Sequence, residues 1–210
     1  PEAWGDETIR DACHGPFMHD ATALATCLSF HPAKHVCAGE GGAILTNDAV
    51  FADHCRLLRS HGRQGTEMVA LGYNYRMPEL NAALGRSQLT RYRWNVQERR
   101  RMAHWYDEAF AGKVRTVPHG KESARHLYQL LVEDRDTKQE ALRAKGIGTA
   151  IHYPVIPLQP YYKARYGYRP GQFPGAEWHA AHTLSIPLFP TMTEEEQDRV
   201  ISSVLEVCGG

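Results

Sequence analysis

The segment that most restricts what this chain can fold into is a lysine set between an apolar run and a glycine turn. Ala25 to Phe30 reads as a strand, His31-Pro32-Ala33 leads straight to Lys34, and Gly39-Glu40-Gly41-Gly42 turns the chain into a second strand, Ala43-Ile44-Leu45-Thr46. The turn lacks GxGxxG spacing and the helix of a dinucleotide loop, so its glycines are read as letting the backbone pass close to a bound group. A lysine held here is partly desolvated, which lowers its pKa and frees the neutral amine to attack a carbonyl. A lone lysine in such a place is usually a surface residue. Lys34 has a companion: Ile9-Arg10-Asp11-Ala12-Cys13-His14 has the pattern of a strand whose carboxyl end delivers an acid into a cleft. A strand-end acid followed by such a lysine is what catalysis by pyridoxal 5'-phosphate (PLP) requires. The lysine carries the aldehyde, and the acid keeps the pyridinium nitrogen protonated as an electron sink.

Composition narrows the alternatives. The chain has 24 basic and 24 acidic residues and a pI near 7.5, so no global field recruits nucleic acid or an anionic membrane. A sugar nucleotide or other anion must be held by local groups. Five cysteines, Cys13, Cys27, Cys37, Cys55 and Cys208, are odd in number and show no CxxC spacing, which points to reduced thiols and a cytoplasmic protein. No stretch has the length and apolarity of a membrane span, and none reads as a signal peptide. His31 and His35 stand four apart, but Pro32 argues against a helix there and no third ligand follows at a fitting interval, so no metal is expected.

The pattern along the chain is that of layered strands and helices followed by a smaller unit, with a boundary near residues 95 and 96. Asp48 caps a helix to about His61, stopped by Gly62, with Phe51, Cys55 and Leu58 on one face. Pro78 suits the first turn of a second helix, whose apolar side is Leu80, Ala83, Leu84 and Leu89. Arg99-Arg100-Arg101 is read as part of a solvated helix face, not a nucleic-acid patch. His126 to Val132 alternates like a strand, Asp136 and Gln139 form a capping box for a helix ending at Gly146, and Thr193 with Glu196 repeats that device for a last helix packed through Val200, Val204 and Leu205. Tyr153 to Pro174 is read as a long loop, rich in proline and aromatics, that serves function or wraps a partner.

Several ordered segments resemble the DegT/DnrJ/EryC1/StrS family of nucleotide-sugar aminotransferases. They are Asp11-Ala12-Cys13-His14, Ser29 to Lys34 with Gly39 to Gly42, Arg59-Ser60-His61-Gly62, Gly72-Tyr73-Asn74-Tyr75-Arg76-Met77, His126-Leu127-Tyr128, Gly146-Ile147-Gly148-Thr149, His152-Tyr153, Leu158 to Tyr162 and Leu184 to Pro190. The resemblance implies an α/β fold, that of the fold-type I PLP-dependent transferases: residues 1–95 would be part of the large-domain sheet and 96–210 a small C-terminal α+β domain. It further implies that Lys34 binds the aldehyde and shuttles the proton, Asp11 pairs with the pyridine nitrogen, His14 lies near the ring's phenolic oxygen and Ser29 bonds the phosphate. Asn74 would reach the phosphate in a neighbouring subunit, making a homodimer with shared active sites, and Arg76, His152 and Tyr153 would meet the sugar nucleotide, although Arg76 could equally brace its loop and His152-Tyr153 could equally be a packed structural pair. The expected reaction moves an amino group from L-glutamate to a keto-sugar nucleotide, with a UDP-4-keto-6-deoxy-N-acetylhexosamine favoured by Leu158 to Pro174, in bacterial surface-sugar (lipopolysaccharide or polysaccharide) biosynthesis. Arg125 departs from the pattern, which commonly has an aromatic there. The first motif belongs to the middle of the family's order, so the chain is read as the C-terminal portion of a longer enzyme; the alternative is a non-catalytic dimerisation or regulatory remnant.

Overall fold

Ile9–Asp11 (β1), Ala25–Ser29 (β2) and Gly42–Leu45 (β3) form one sheet in the order β1-β2-β3, with β2 parallel to β1 and antiparallel to β3. The computed structural model describes residues 8–18 and 20–209. Two units emerge: one runs to Val96 and includes Glu122–His126, and the other comprises Gln97–Lys121 and the chain from Leu127 onward. All three expected strands of the first unit are present. β2 is the central one, with Ala25, Thr26 and Leu28 buried, and Asp11 stands directly beside Cys27 in register. Thr46 closes the sheet's far end by donating its hydroxyl to the Leu24 carbonyl at 2.6 Å while accepting from the Asp48 N–H.

Ala49–Arg59 (α1) starts where expected, because the Asp48 carboxylate accepts from the Phe51 N–H at 2.8 Å and satisfies one of the free donors of the first turn. Its end is a knot of close backbones. Gly62 (φ 65) accepts no side chain, since a Cβ there would collide with the Ala70 carbonyl, and one on Gly72 would collide with the Gly62 nitrogen. A short hairpin, Arg63–Gln64 (β4) with Glu67–Met68 (β5), bridges these two glycines. Glu79–Leu89 (α2) follows, with Pro78 at the N-cap instead of inside the first turn. The apolar side expected for α2 is present but faces outward: Leu80 is 85% exposed, Leu84 and Leu89 are exposed too, and only Gly85 is buried, against Ala38. That side finds no cover among the described residues.

Tyr92–Phe110 (α3) contains the junction between Val96 and Gln97. Arg99 departs from the expected solvated face: it is buried, donates to the Leu188 carbonyl at 2.9 Å, and burial lowers its pKa to about 10. Helical spacing places one member of the arginine triplet inward, and the carbonyl there repays part of its desolvation. In the second unit Tyr128–Leu131 (β6) pairs antiparallel with Thr183–Ile186 (β7), and bridges at Thr116 and Ala150 widen this ribbon on both sides. Met102, Tyr106 and Phe110 pack on Tyr128 and Leu130, with Leu184, Leu142 and Val204 completing the core. Tyr106 and Tyr128 spend their hydroxyls on the Pro187 carbonyl and the Asp107 carboxylate, as buried tyrosines must.

Two helix starts divide on physical grounds. Glu194–Cys208 (α7) has the full capping box: Glu196 N–H donates to Thr193 Oγ1 at 3.2 Å and Thr193 N–H to Glu196 Oε2 at 2.9 Å. Arg135–Ala144 (α4) lacks the expected one, because the helix begins before Asp136 and its cap is Asp134 in the left-handed region, without a side-chain bond. Gln139 turns instead to the Thr149 hydroxyl. The expected long loop from Tyr153 to Pro174 is also corrected. It holds a 3-10 turn, Ile156–Leu158, and the helix Pro160–Tyr166 (α5), and it runs into Pro174–His182 (α6). Pro157, Pro160 and Pro174 lie in first turns, where a missing N–H costs nothing.

Candidate active site

Lys34 lies on a loop closed at its base by two backbone bonds, Phe30 N–H to the Gly41 carbonyl and Ala38 N–H to the Phe30 carbonyl, each 2.9 Å. The loop is anchored behind the lysine. His35 is fully buried with Nε2 at 3.0 Å from the Ala124 carbonyl, the Asn95 amide donates to the His35 carbonyl, and Val36 and Ala38 have no exposed surface. Gly39 (φ 77) and Gly41 (φ 136) supply backbone conformations that other residues rarely take, while a Cβ on Gly42 would lie 2.5 Å from the Leu28 carbonyl. The lysine is thus delivered by a rigid support, and the glycines are needed for that support.

Lys34 is half-buried, and this burial lowers its pKa from the ordinary 10.5, against the pull of Cys13 and Asp11. Asp11, at the end of β1, accepts the Cys13 N–H at 2.9 Å. The Cys13 thiol and that N–H hold the Asp11 carboxyl below the usual carboxylate range, with help from His14 and Lys34 and against its slight burial. Burial, and then the bond to Asp11, push the Cys13 thiol up to about 11. Asp11, Cys13, His14 and Lys34 therefore act on one another electrostatically. The His14 ring rests 4.2 Å from that of His126, which is 5.4 Å from His35. Ser29 accepts the His31 N–H at 3.3 Å, leaving its own hydroxyl proton for another acceptor.

Asn74 and Arg76 form a second group in the same unit: Arg76 Nε donates to Asn74 Oδ1 at 3.1 Å, and Arg76 Nη2 lies 3.3 Å from His61 Nε2. His152 and Tyr153 belong to the second unit. There His152 Nδ1 is 2.8 Å from Ser185 Oγ, its carbonyl accepts from Gln129, and the half-exposed Tyr153 ring meets the His152 ring edge-on at 4.8 Å. A cavity of about 650 Å³ between β2, β3 and α1, lined by Ile44, Cys55, Leu58, Tyr73 and Met77, contains neither Lys34 nor Asp11.

Sequence reasoning assigned no role to Cys13, His61, Asn81 or His126. Cys13 could have been found from its place two residues after Asp11, the spacing at which a carboxylate caps a backbone N–H. Asn81 carries no local signal, because its partners lie some forty positions earlier.

The donor set fits PLP. It offers an amine with lowered pKa, a carboxylate kept ionised within its electrostatic reach, a hydroxyl with a free proton and a glycine turn in which a Cβ at Gly42 would meet the Leu28 carbonyl. An α/β scaffold presenting such a lysine and acid defines a cofactor-dependent transferase class. The sequence profile of the DegT/DnrJ/EryC1/StrS aminotransferase family matches residues 7–205, and the chain belongs to that family. Among solved structures, a family member from Brucella abortus is 32% identical with a TM-score of 0.87, covering 97% of this chain and 58% of that one. Helicobacter pylori PseC, an aminotransferase involved in pseudoaminic acid biosynthesis, is 28% identical with a TM-score of 0.86, covering 96% and 59%. The sugar aminotransferase Spr1654 of Streptococcus pneumoniae, described as putative and solved in its PLP form, is 28% identical with a TM-score of 0.86, covering 96% and 57%. The chain spans less than two thirds of the length of these relatives.

Proposed function

We propose that the protein is a PLP-dependent aminotransferase that takes an amino group from L-glutamate and gives it to a keto-sugar nucleotide. The observation that carries this reading is the pairing of the partly desolvated Lys34 with Asp11, whose carboxyl is held ionised by Cys13. PLP, when bound, supplies an electrophilic aldehyde and a conjugated electron sink.

The chain's own residues do the rest. The lowered pKa of Lys34 raises the fraction of neutral amine, so Nζ serves first as nucleophile and then as the base and acid that moves one proton. Asp11 offers a fixed anionic oxygen to a protonated ring nitrogen. His14 is held by the His126 ring for contact with the ring's phenolic oxygen, and the Ser29 hydroxyl proton is free for a phosphate. Asn74 reaches the phosphate held by a second copy, in a homodimer with shared sites, and Arg76, His152 and Tyr153 meet the sugar nucleotide.

The substrate we favour is a UDP-4-keto-6-deoxy-N-acetylhexosamine, supported by Leu158 to Pro174 and by the likeness to PseC, which would place the enzyme in the cytoplasm in surface-sugar biosynthesis. No helix among the described residues is long and apolar enough to cross a membrane. Incubation with PLP, borohydride reduction and peptide mapping tests the assignment: pyridoxyl belongs on Lys34, and a label on any other lysine overturns it. A panel of UDP- and dTDP-keto-sugars with glutamate then identifies the acceptor, and turnover with none of them overturns the substrate class.

A further inference from the structure

His61 occupies the left-handed region (φ 65), which is costly for a residue with a ring, and it is held there from both sides. Its N–H donates to the Tyr73 carbonyl at 2.9 Å, Ser60 bridges to Asn74, and Tyr75 N–H donates to the Arg59 carbonyl at 3.0 Å. The glycines at 62 and 72 allow the two strands of this knot to touch. The imposed backbone points the imidazole at Arg76.

A guanidinium can only donate, so both of its contacts are one-way. His61 Nε2 accepts from Arg76 Nη2, and Asn74 Oδ1 accepts from Arg76 Nε. The second bond settles the orientation of the Asn74 amide: its oxygen is spent inward, and its nitrogen, with two donors, is left for a ligand. The stacked rings of Tyr73 and Tyr75, 4.9 Å apart and only 8° from parallel, flank Asn74. Asn74 and Arg76 are both exposed and, once His61 has fixed the guanidinium, present donors and no acceptor.

We propose that His61 is a positioning residue that locks Arg76, and through it Asn74, into a donor-only face for an anion rich in acceptor oxygens. The inference deepens the aminotransferase reading and rests on it for the choice of ligand. A phosphate monoester, the diphosphate of a sugar nucleotide or a carboxylate all share this chemistry.

The test uses the protein expressed from its complete gene. Dissociation constants are measured for pyridoxamine phosphate, UDP and L-glutamate, with pyridoxamine as the control without phosphate. His61→Ala and His61→Gln bear similar backbone costs at a positive φ, so thermal melting should shift equally in both, while only Gln keeps an acceptor for Arg76. His61→Ala should weaken the anion recognised by about tenfold, and His61→Gln should stay within about threefold. Asn74→Asp, which keeps the acceptor for Arg76 but replaces the donors with charge, should lose at least about tenfold. The ligand whose affinity falls identifies the source of the anion. Equal binding by Ala and Gln variants, undiminished binding by Asn74→Asp, or no anion binding by the unsubstituted protein overturns the proposal. Anion binding that follows this pattern in a protein whose Lys34 takes no pyridoxyl label would sink the aminotransferase reading and leave the positioning role standing.

Discussion

The side-chain amide of Asn81 donates to the carbonyl of Ala38 at 2.6 Å and to that of Glu40 at 3.3 Å, so one residue of α2 spans the glycine turn that follows Lys34. Ala38 is fully buried, which makes its carbonyl costly to leave unpaired. Asn81→Ala should therefore destabilise the fold by about 1–3 kcal/mol, measured by urea unfolding. Asn81→Asp, which cannot donate, should do no better than Ala. Full stability in either variant would show that the turn holds itself.

Lys34 gives a pH dependence with a definite sign. Its folded pKa lies below the ordinary 10.5, so its charged form opposes folding while the pH is below the folded value. As pH rises from that value towards 10.5 the unfolded chain binds the extra proton and the folded state gains stability. The melting temperature of the parent should therefore rise relative to Lys34→Met as the pH is raised towards 10.5 from below. A constant difference across that window would mean that the lysine is not desolvated. Lys34→Ala should also abolish turnover while sugar-nucleotide binding survives.

Asp11→Asn removes the anion that faces the ring nitrogen while keeping the side chain's size and its oxygen for the Cys13 N–H. Turnover with glutamate should fall by at least about 100-fold, read as kcat, while cofactor retention changes little. Near-normal kcat would assign the role to another group.

The outward face of α2 leads to a prediction about association. Leu80, Leu84 and Leu89 with Leu71 and Tyr75 form exposed apolar surface on the first unit. Surface of this kind ordinarily marks an interface. The protein should self-associate, and Leu80→Glu should raise its solubility and lower its apparent mass by light scattering. A monodisperse monomer from the unsubstituted chain would overturn this.

How much was legible from sequence depended on the range of the interaction. β1, β2, α1 and α7 were readable because strand apolarity and the caps at Asp48 and Thr193 act within a few residues. The start of α4 was misread because the helix begins at Arg135 with Asp134 as an N-cap that makes no side-chain bond, so Asp136 and Gln139 lie inside the helix and do not frame its start. Arg99 was misread because three consecutive arginines look alike in sequence, whereas only one is placed by helical phase against the Leu188 carbonyl. At the candidate site, Asp11 and Lys34 were read from their own segments, whereas the phosphate role of Ser29 came only with the resemblance to the family. The surrounding contacts, His126 with His14 and His35, Asn81 with the glycine turn and His61 with Arg76, join distant positions.

Glu122–His126 belongs to the first unit although the chain on either side of it belongs to the second. No single cut therefore releases either unit whole. An expression fragment ending near residue 96 would lack the Ala124 carbonyl that receives the buried imidazole of His35, one residue beyond Lys34, and one starting there would carry a stray piece of its neighbour. Isolating either unit means joining two separate segments of the chain, and a library that recombines relatives at one crossover near residue 96 will separate the lysine loop from its own support.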